Sequence, residues 1–227
     1  NVAGILDQTL GVNGPMARNV KDLALFFDVF LGQTFKDPTS IPKEEKSFLN
    51  NALEAKKPRK VAISQDLGIP PVDPTIREFV VKAGKELEKL GIVVEEATPD
   101  LSEAPYTSQI LRSFSFYVNL KSQYLENKKY LKEDIIWNIE KGMSLTVDDI
   151  ANANIKRVQI FNNMQNFFDQ YDLLICPSTI VPPFPVEQTY VKSCDGINFS
   201  NYIEWLNIVS AVTLTGSPAL SLPYGFT

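Results

Sequence analysis

Serine activated by lysine is the nucleophilic chemistry this sequence leaves open, because none of its 227 residues is histidine. Ser-His-Asp and Cys-His triads, histidine metal sites and histidine general bases are therefore excluded within the chain. Ser-Lys chemistry is not excluded, since a desolvated lysine can act as the base. The paired acids Glu44-Glu45, Glu95-Glu96 and Asp148-Asp149 are adjacent in sequence. Adjacent side chains on a helix or strand do not face one another, so these are poor acid–base pairs. Asp148 and Asp149 instead suit a helix N-terminus, where the macrodipole favours anions. Cys176 and Cys194 make neither a disulfide framework nor, without histidine, a zinc site. Cys176 lies in an apolar run and reads as a small buried hydrophobe. No Gly-x-Gly-x-x-Gly or Walker-type phosphate loop occurs.

The net charge of -5 argues against a general polyanion binder, because phosphate contacts need a basic footprint. The one dense basic cluster, Lys56-Lys57-Pro58-Arg59-Lys60, reads as a solvated flank leading into a strand. No apolar run reaches the ~18 residues needed to span a bilayer, and no secretory leader pattern opens the sequence. The expectation is a cytoplasmic protein with no cofactor and neither a nucleic acid nor a membrane as partner. A homo-oligomer remains open. The composition is that of an ordinary globular protein, and the chain reads as a single unit over residues 1–227.

Periodicity predicts the elements that must position any site. A helix is expected from Val20 to Leu31, capped by Asn19 and stopped by Gly32, with apolar residues on more than one side. A polar loop from Gln33 to Ser47 leads to a short helix from Phe48 to Lys56. Lys60 to Ser64 reads as a strand. Asp73-Pro74 opens a helix with Ile76, Phe79, Val80, Ala83, Leu87 and Leu90 at gaps of three and four, ended by Gly91. Ile92 to Glu96 is the next strand. The strand–helix–strand unit implies a crossover and an α/β fold, with a mixed, largely parallel sheet flanked by helices. Tyr106 to Tyr171 reads as mainly helical. Its last long helix starts near Thr146, with Ile155, Val158, Phe161, Met164, Phe168 and Tyr171 on one stripe. Asp172 to Cys176 returns to a buried strand, left by the Pro-rich segment Pro177–Pro185. A helix over Ser200 to Val212 and a final strand, Ala219 to Leu222, complete the reading.

Three segments carry a resemblance to a known family. Gly14-Pro15-Met16-Ala17-Arg18 precedes Asp22 and an apolar helix. Asp172-Leu173-Leu174-Ile175-Cys176-Pro177-Ser178-Thr179 is a strand ending in Pro-Ser-Thr. Leu214-Thr215-Gly216-Ser217-Pro218-Ala219-Leu220-Ser221-Leu222-Pro223-Tyr224-Gly225 is the third. In this order they resemble the later part of an amidase signature enzyme. Val72-Asp73-Pro74 and the Pro99-Asp100 turn between them fit the same family. The resemblance covers nearly all of the chain and is least specific in the middle helices.

The resemblance implies hydrolysis or transfer of carboxamides by a nucleophilic serine, a second serine on a cis peptide bond and a lysine base. Backbone N–H groups form the oxyanion hole. In the family these groups lie upstream of the Gly-Pro-Met-Ala-Arg segment, around a Gly-Gly-Ser-Ser-Gly-Gly loop. Here thirteen residues precede Gly14 and no Gly-Gly pair occurs. The catalytic lysine, both serines and the oxyanion loop have no matching positions, so no catalytic residue is assigned. Thr213 stands where the family often has asparagine. The expectation is an internal piece of the family domain, inactive alone, with an apolar face or sheet edge exposed where the missing parts dock. The candidate substrate-lining residues are Thr179, Ile180 and Trp205, because open α/β sheets place ligands beyond the carboxyl ends of their strands. The complete protein would take a small-molecule amide as its substrate. An amidotransferase component serving Glu-tRNA to Gln-tRNA conversion and a non-catalytic scaffold domain are the alternatives.

Overall fold

The structure, a computed structural model, describes residues 10–11, 13–37, 40–43 and 45–226. They form two compact units that divide after Lys57. In the smaller unit, α1 (Val20–Phe30) is capped by Asn19, whose side chain accepts the Asp22 N–H. The α2 helix (Phe48–Leu53) is fixed to α1 by one carboxylate. Asp28 accepts the Phe48 N–H at 2.7 Å and the Leu49 N–H at 3.0 Å, and the Phe27 and Phe48 rings pack 5.4 Å apart. The expected burial of α1 on several sides does not occur. Ala24 is its one buried residue, while Val29 is 83% exposed and Leu25, Phe26 and Phe30 are also exposed. Within this unit, six-residue α2 is too short to cover a helix that is apolar almost all round.

The larger unit is built on a parallel three-stranded sheet flanked by helices, in the order β2-β1-β3. The strands are β1 (Lys60–Ile63), β2 (Val93–Glu96) and β3 (Leu173–Ile175). Val61 pairs with Val94 on one side and Leu173 on the other. The crossover helix α3 (Pro74–Lys89) starts as its sequence demands, with Asp73 accepting the Thr75 N–H and Pro in the first turn. It ends before Gly91, which takes the left-handed conformation at φ 77°. Gly84 of α3 lets the helix approach the sheet, since a Cβ there would lie 3.1 Å from Ile63 Cδ1.

The middle of the chain is helical: α4 (Ala104–Asn127), a 3-10 turn (Lys128–Tyr130), α5 (Glu133–Met143) and α6 (Val147–Phe168). A hairpin of β4 (Ser193–Cys194) and β5 (Ile197–Asn198) and a 3-10 turn (Glu204–Leu206) lead to α7 (Asn207–Leu214). Helices α5 and α6 both pack on α4. The start of α6 is a reciprocal capping box. Thr146 accepts the Asp149 N–H at 3.1 Å, and Asp149 accepts the Thr146 N–H at 2.8 Å.

The β3 strand, expected to be buried, is not: Leu173 is exposed and Leu174 and Ile175 are half-buried, because β3 is an outer strand. Two other expectations fail in this unit. The buried face of α6 is Ala153, Ile160 and Met164; Ile155, Val158 and Phe161 of the expected stripe are exposed. This helix carries two apolar stripes, and the one containing small Ala153, which brings backbones closer, is the one buried. The second failure is the final strand. Residues 219–222 are irregular and exposed, because an isolated β-type segment gains nothing without a neighbour to pair with. The tail touches α3 instead, with Tyr224 and Phe79 edge to face at 6.1 Å.

Gly142 of α5 sits against α4 so closely that an added Cβ would lie 2.3 Å from the Ser113 carbonyl oxygen. Alanine would gain ~1 kcal/mol of helix propensity, but the clash with backbone costs about 1–3 kcal/mol or more. Gly142→Ala should therefore lower the urea midpoint, and a raised midpoint would refute the close approach. Thr146→Ala should cost about 1 kcal/mol in the same measurement, and no loss would argue against the capping box. The Asp172 carboxylate accepts the Arg59 N–H at 2.6 Å and the Lys60 N–H at 3.1 Å. Those bonds, Lys60 first, hold its pKa below the ordinary value. A depressed folded pKa gives stability that is complete above the unfolded value, about 4, and is lost as pH falls through the folded one. Asp172→Asn should therefore flatten the fall of the urea midpoint below about pH 4; an unchanged acid limb would exclude this role.

Candidate functional site

Two hydroxyl groups meet at the carboxyl ends of β1 and β2. Ser64 follows β1 and is buried. Its N–H donates to the Ile175 carbonyl at 2.9 Å, and its Oγ lies 2.7 Å from Thr98 Oγ1, just past β2. It also accepts the Leu67 N–H at 3.0 Å. This hydroxyl is thus occupied in tying two strand ends to the loop that leads to α3.

The Pro-rich segment leaves β3 at the same end. Ile180 is its anchor: the Asp73 N–H donates to its carbonyl at 2.8 Å, and the buried Cys194 Sγ approaches the same oxygen at 3.5 Å. Its side chain is only 2% exposed. Asp73 thereby holds two elements at once, the start of α3 through its side chain and the Pro-rich segment through its N–H. Thr179 is half-buried, and its hydroxyl reaches the Val181 carbonyl at 3.4 Å. Trp205 joins this segment through Phe184, ring edge to face at 5.8 Å. Its indole Nε1 is buried with no hydrogen-bond partner. The three sequence-derived residues thus belong to one neighbourhood, two on the segment and one packed on its far end.

The sequence reading missed a polar cluster beside Trp205. Arg112 of α4 donates through Nη2 to the Tyr202 hydroxyl at 2.6 Å. Asn138 of α5, fully buried, donates to the same hydroxyl at 3.2 Å and to the Asp134 carbonyl at 2.7 Å. The available signal was an arginine flanked by Ile110, Leu111, Ser113 and Phe114; it sits off the buried stripe of α4, which is Ala104, Thr107, Ile110 and Ser113. Cys176, at the end of β3, offers no nucleophile at neutral pH, because burial pushes its thiol up to about 11. Among the described residues no group of three or more metal-type ligands converges, and no helix is long and apolar enough to cross a membrane.

A family-wide sequence profile described as amidase matches residues 5–227. The acylamidase of Rhodococcus erythropolis is 27% identical over 237 residues, covering 99% of this chain and 49% of that protein. A glutamyl-tRNA(Gln) amidotransferase chain of Sulfurihydrogenibium sp. is 26% identical over 256 residues, with the same coverage of 99% and 49%. The chain therefore spans about half the length of the relatives it matches. Among solved structures, a bacterial aryl acylamidase of the amidase signature family superposes with a TM-score of 0.82 at 21% identity, over 94% of this chain and 46% of that one. The 6-aminohexanoate cyclic dimer hydrolase, in complex with substrate, gives 0.71 at 17% identity, over 88% and 45%. These last two likenesses concern the fold. With the strand-end architecture and the profile match over nearly its whole length, the chain belongs to the amidase signature family.

Proposed function

We propose that this chain is part of an amidase that hydrolyses carboxamide C–N bonds through an acyl-serine intermediate. The observation that carries the reading is the family match from residue 5 to residue 227. Residues 1–227 act here as part of one family domain. This part supplies the β2-β1-β3 sheet and a wall of the substrate pocket. Thr179 and Trp205 line that wall, and Ile180 fixes it from within. The nucleophile, its lysine base and the oxyanion donors have no matching positions in these 227 residues, and no Gly-Gly pair occurs in them. The chain alone is accordingly inactive. The exposed apolar face of α1 and the unpaired tail with Leu220, Leu222 and Phe226 support this reading. They are the surfaces that further parts of such a domain would cover. The free thiols of Cys176 and Cys194 fit a reducing, cytoplasmic setting, and self-association through the exposed face is open to the chain.

A second reading within the family has its own support. A 93-residue stretch is 37% identical to the matching glutamyl-tRNA(Gln) amidotransferase chain of Lachnospira eligens. In that role the same acyl-serine chemistry would release ammonia from an amide for transfer instead of for loss to water.

The test joins the amino-terminal half of the Rhodococcus erythropolis acylamidase upstream of this chain in one polypeptide. The fusion should release aniline from simple anilides, and a serine-directed fluorophosphonate should block it. A folded fusion inactive on a panel of amides, glutamine included, would count against the amidase reading. Serine-reagent-sensitive turnover by the 227-residue chain alone would refute its inactivity.

A further inference from the structure

Arg112 is a cation whose polar contact is a neutral hydroxyl, that of Tyr202. Its guanidinium lies 4.8 Å from the Phe116 ring centroid and 5.6 Å from that of Tyr202, and its Nε is buried with no acceptor. Among the described residues it has no acidic partner. Asn138 donates to the same Tyr202 hydroxyl, while its Oδ1, an acceptor, is buried without a donor. A charge taken partly out of water normally carries a carboxylate with it, because desolvation without a counter-ion is costly. Aromatic faces offset part of that cost, and Nη2 donates to the neutral Tyr202 hydroxyl, but no charged acceptor faces the fork among the described residues.

The surroundings are cationic as well. Tyr190 packs against Tyr202 at 6.1 Å between ring centroids, and Lys192 sits 3.6 Å over the Tyr190 ring, again without an acidic partner among the described residues. The nearby Glu204 carboxylate is committed elsewhere: it accepts the Ser200 N–H at 2.8 Å and the Asn201 side-chain amide at 2.9 Å. Three residues beyond Tyr202, Trp205 Nε1 is a further buried donor without an acceptor. This corner is thus rich in donors and cations within a chain whose net charge is -5.

We propose that Arg112, held in its aromatic sleeve by Tyr202, recognises a carboxylate on the ligand, so that the pocket favours amides bearing a free acid group. A planar guanidinium fork matches a planar carboxylate, which a point-charge ammonium does not. Lys192 adds long-range attraction. The proposal rests on the amidase reading only in taking the ligand to be an amide.

The test titrates the 227-residue chain with N-phenylsuccinamate, an anilide ending in a carboxylate, and with its neutral methyl ester, following the arginine Nε–H and tryptophan indole N–H resonances by NMR. The acid should bind more tightly than the ester and shift the Arg112 signal. Arg112→Gln should weaken the acid roughly tenfold to a hundredfold, as loss of a charge-assisted hydrogen-bonded pair would, and leave the ester unchanged. Should that variant fail to fold, Arg112→Lys keeps the charge without the fork and Tyr202→Phe releases its support; each should narrow the preference for the acid. Equal binding of acid and ester by the unaltered chain overturns the proposal. So does absence of acid binding, or an acid preference that survives both milder variants. Failure here with an active fusion enzyme would leave the amidase reading standing, and the reverse outcome would leave the carboxylate site standing.

Discussion

Strand β1 gives both of its edges to parallel neighbours, so its backbone polar groups stay satisfied only while β2 and β3 both hold register. Val61 and Ala62 are wholly buried at the centre of that arrangement. Parallel pairing forbids tight hairpins and requires long returns. The return from β1 to β2 is α3, and the return from β2 to β3 is the whole α4–α5–α6 assembly. The helical middle of the chain is thus a connection that one pairing requires. The Asp172 carboxylate fixes its far end, since it caps two N–H groups at the entrance to β1 just as the chain enters β3.

The same register fixes where polar chemistry can gather. All three strands end on one side, so the loops after them share a neighbourhood. The Ser64–Thr98 pair ties two of these exits together. The Ile180 carbonyl ties the third to the N-cap of α3. From there the Pro-rich segment runs to Phe184, which packs on Trp205, three residues after the Tyr202 that receives the Arg112 hydrogen bond. Backbone hydrogen bonds thus hold the strand exits, and the side chains beside them take their positions from that frame.

The elements were legible wherever a local rule decides them. Asp73-Pro74 and Thr146 with Asp149 announce helix starts because capping is a matter of a few adjacent residues. Val61-Ala62-Ile63 announces a buried strand because it is continuously apolar. What could not be read is choice among equivalents. Helix α6 offers two apolar stripes, and only contact with α4 selects Ala153, Ile160 and Met164 over Ile155, Val158 and Phe161. The 219–222 run has strand composition, but a strand exists only with a partner edge. Among the candidate site residues, Thr179 could be named from its place after a strand, in the Pro-Ser-Thr segment. Arg112 and Asn138 could not, because their importance comes from a shared contact with Tyr202 that joins residues far apart in sequence.

Parallel sheets are stable when both faces and their edges are covered. Here Val93 on one outer strand and Leu173 on the other are about half exposed. The tail that follows α7 is apolar at Leu220, Leu222 and Phe226 yet faces water, and α1 shows most of its apolar surface. At ~25 cal/mol per Å² of apolar area, leaving several large side chains uncovered forgoes a sizeable fraction of what stabilises a domain. Natural monomers seldom leave such patches unless something docks on them. Relatives about twice as long contain the additional residues that could do so. The uncovered strand flanks, the irregular apolar tail and the exposed face of α1 are thus the apolar surfaces on which the proposed reading rests.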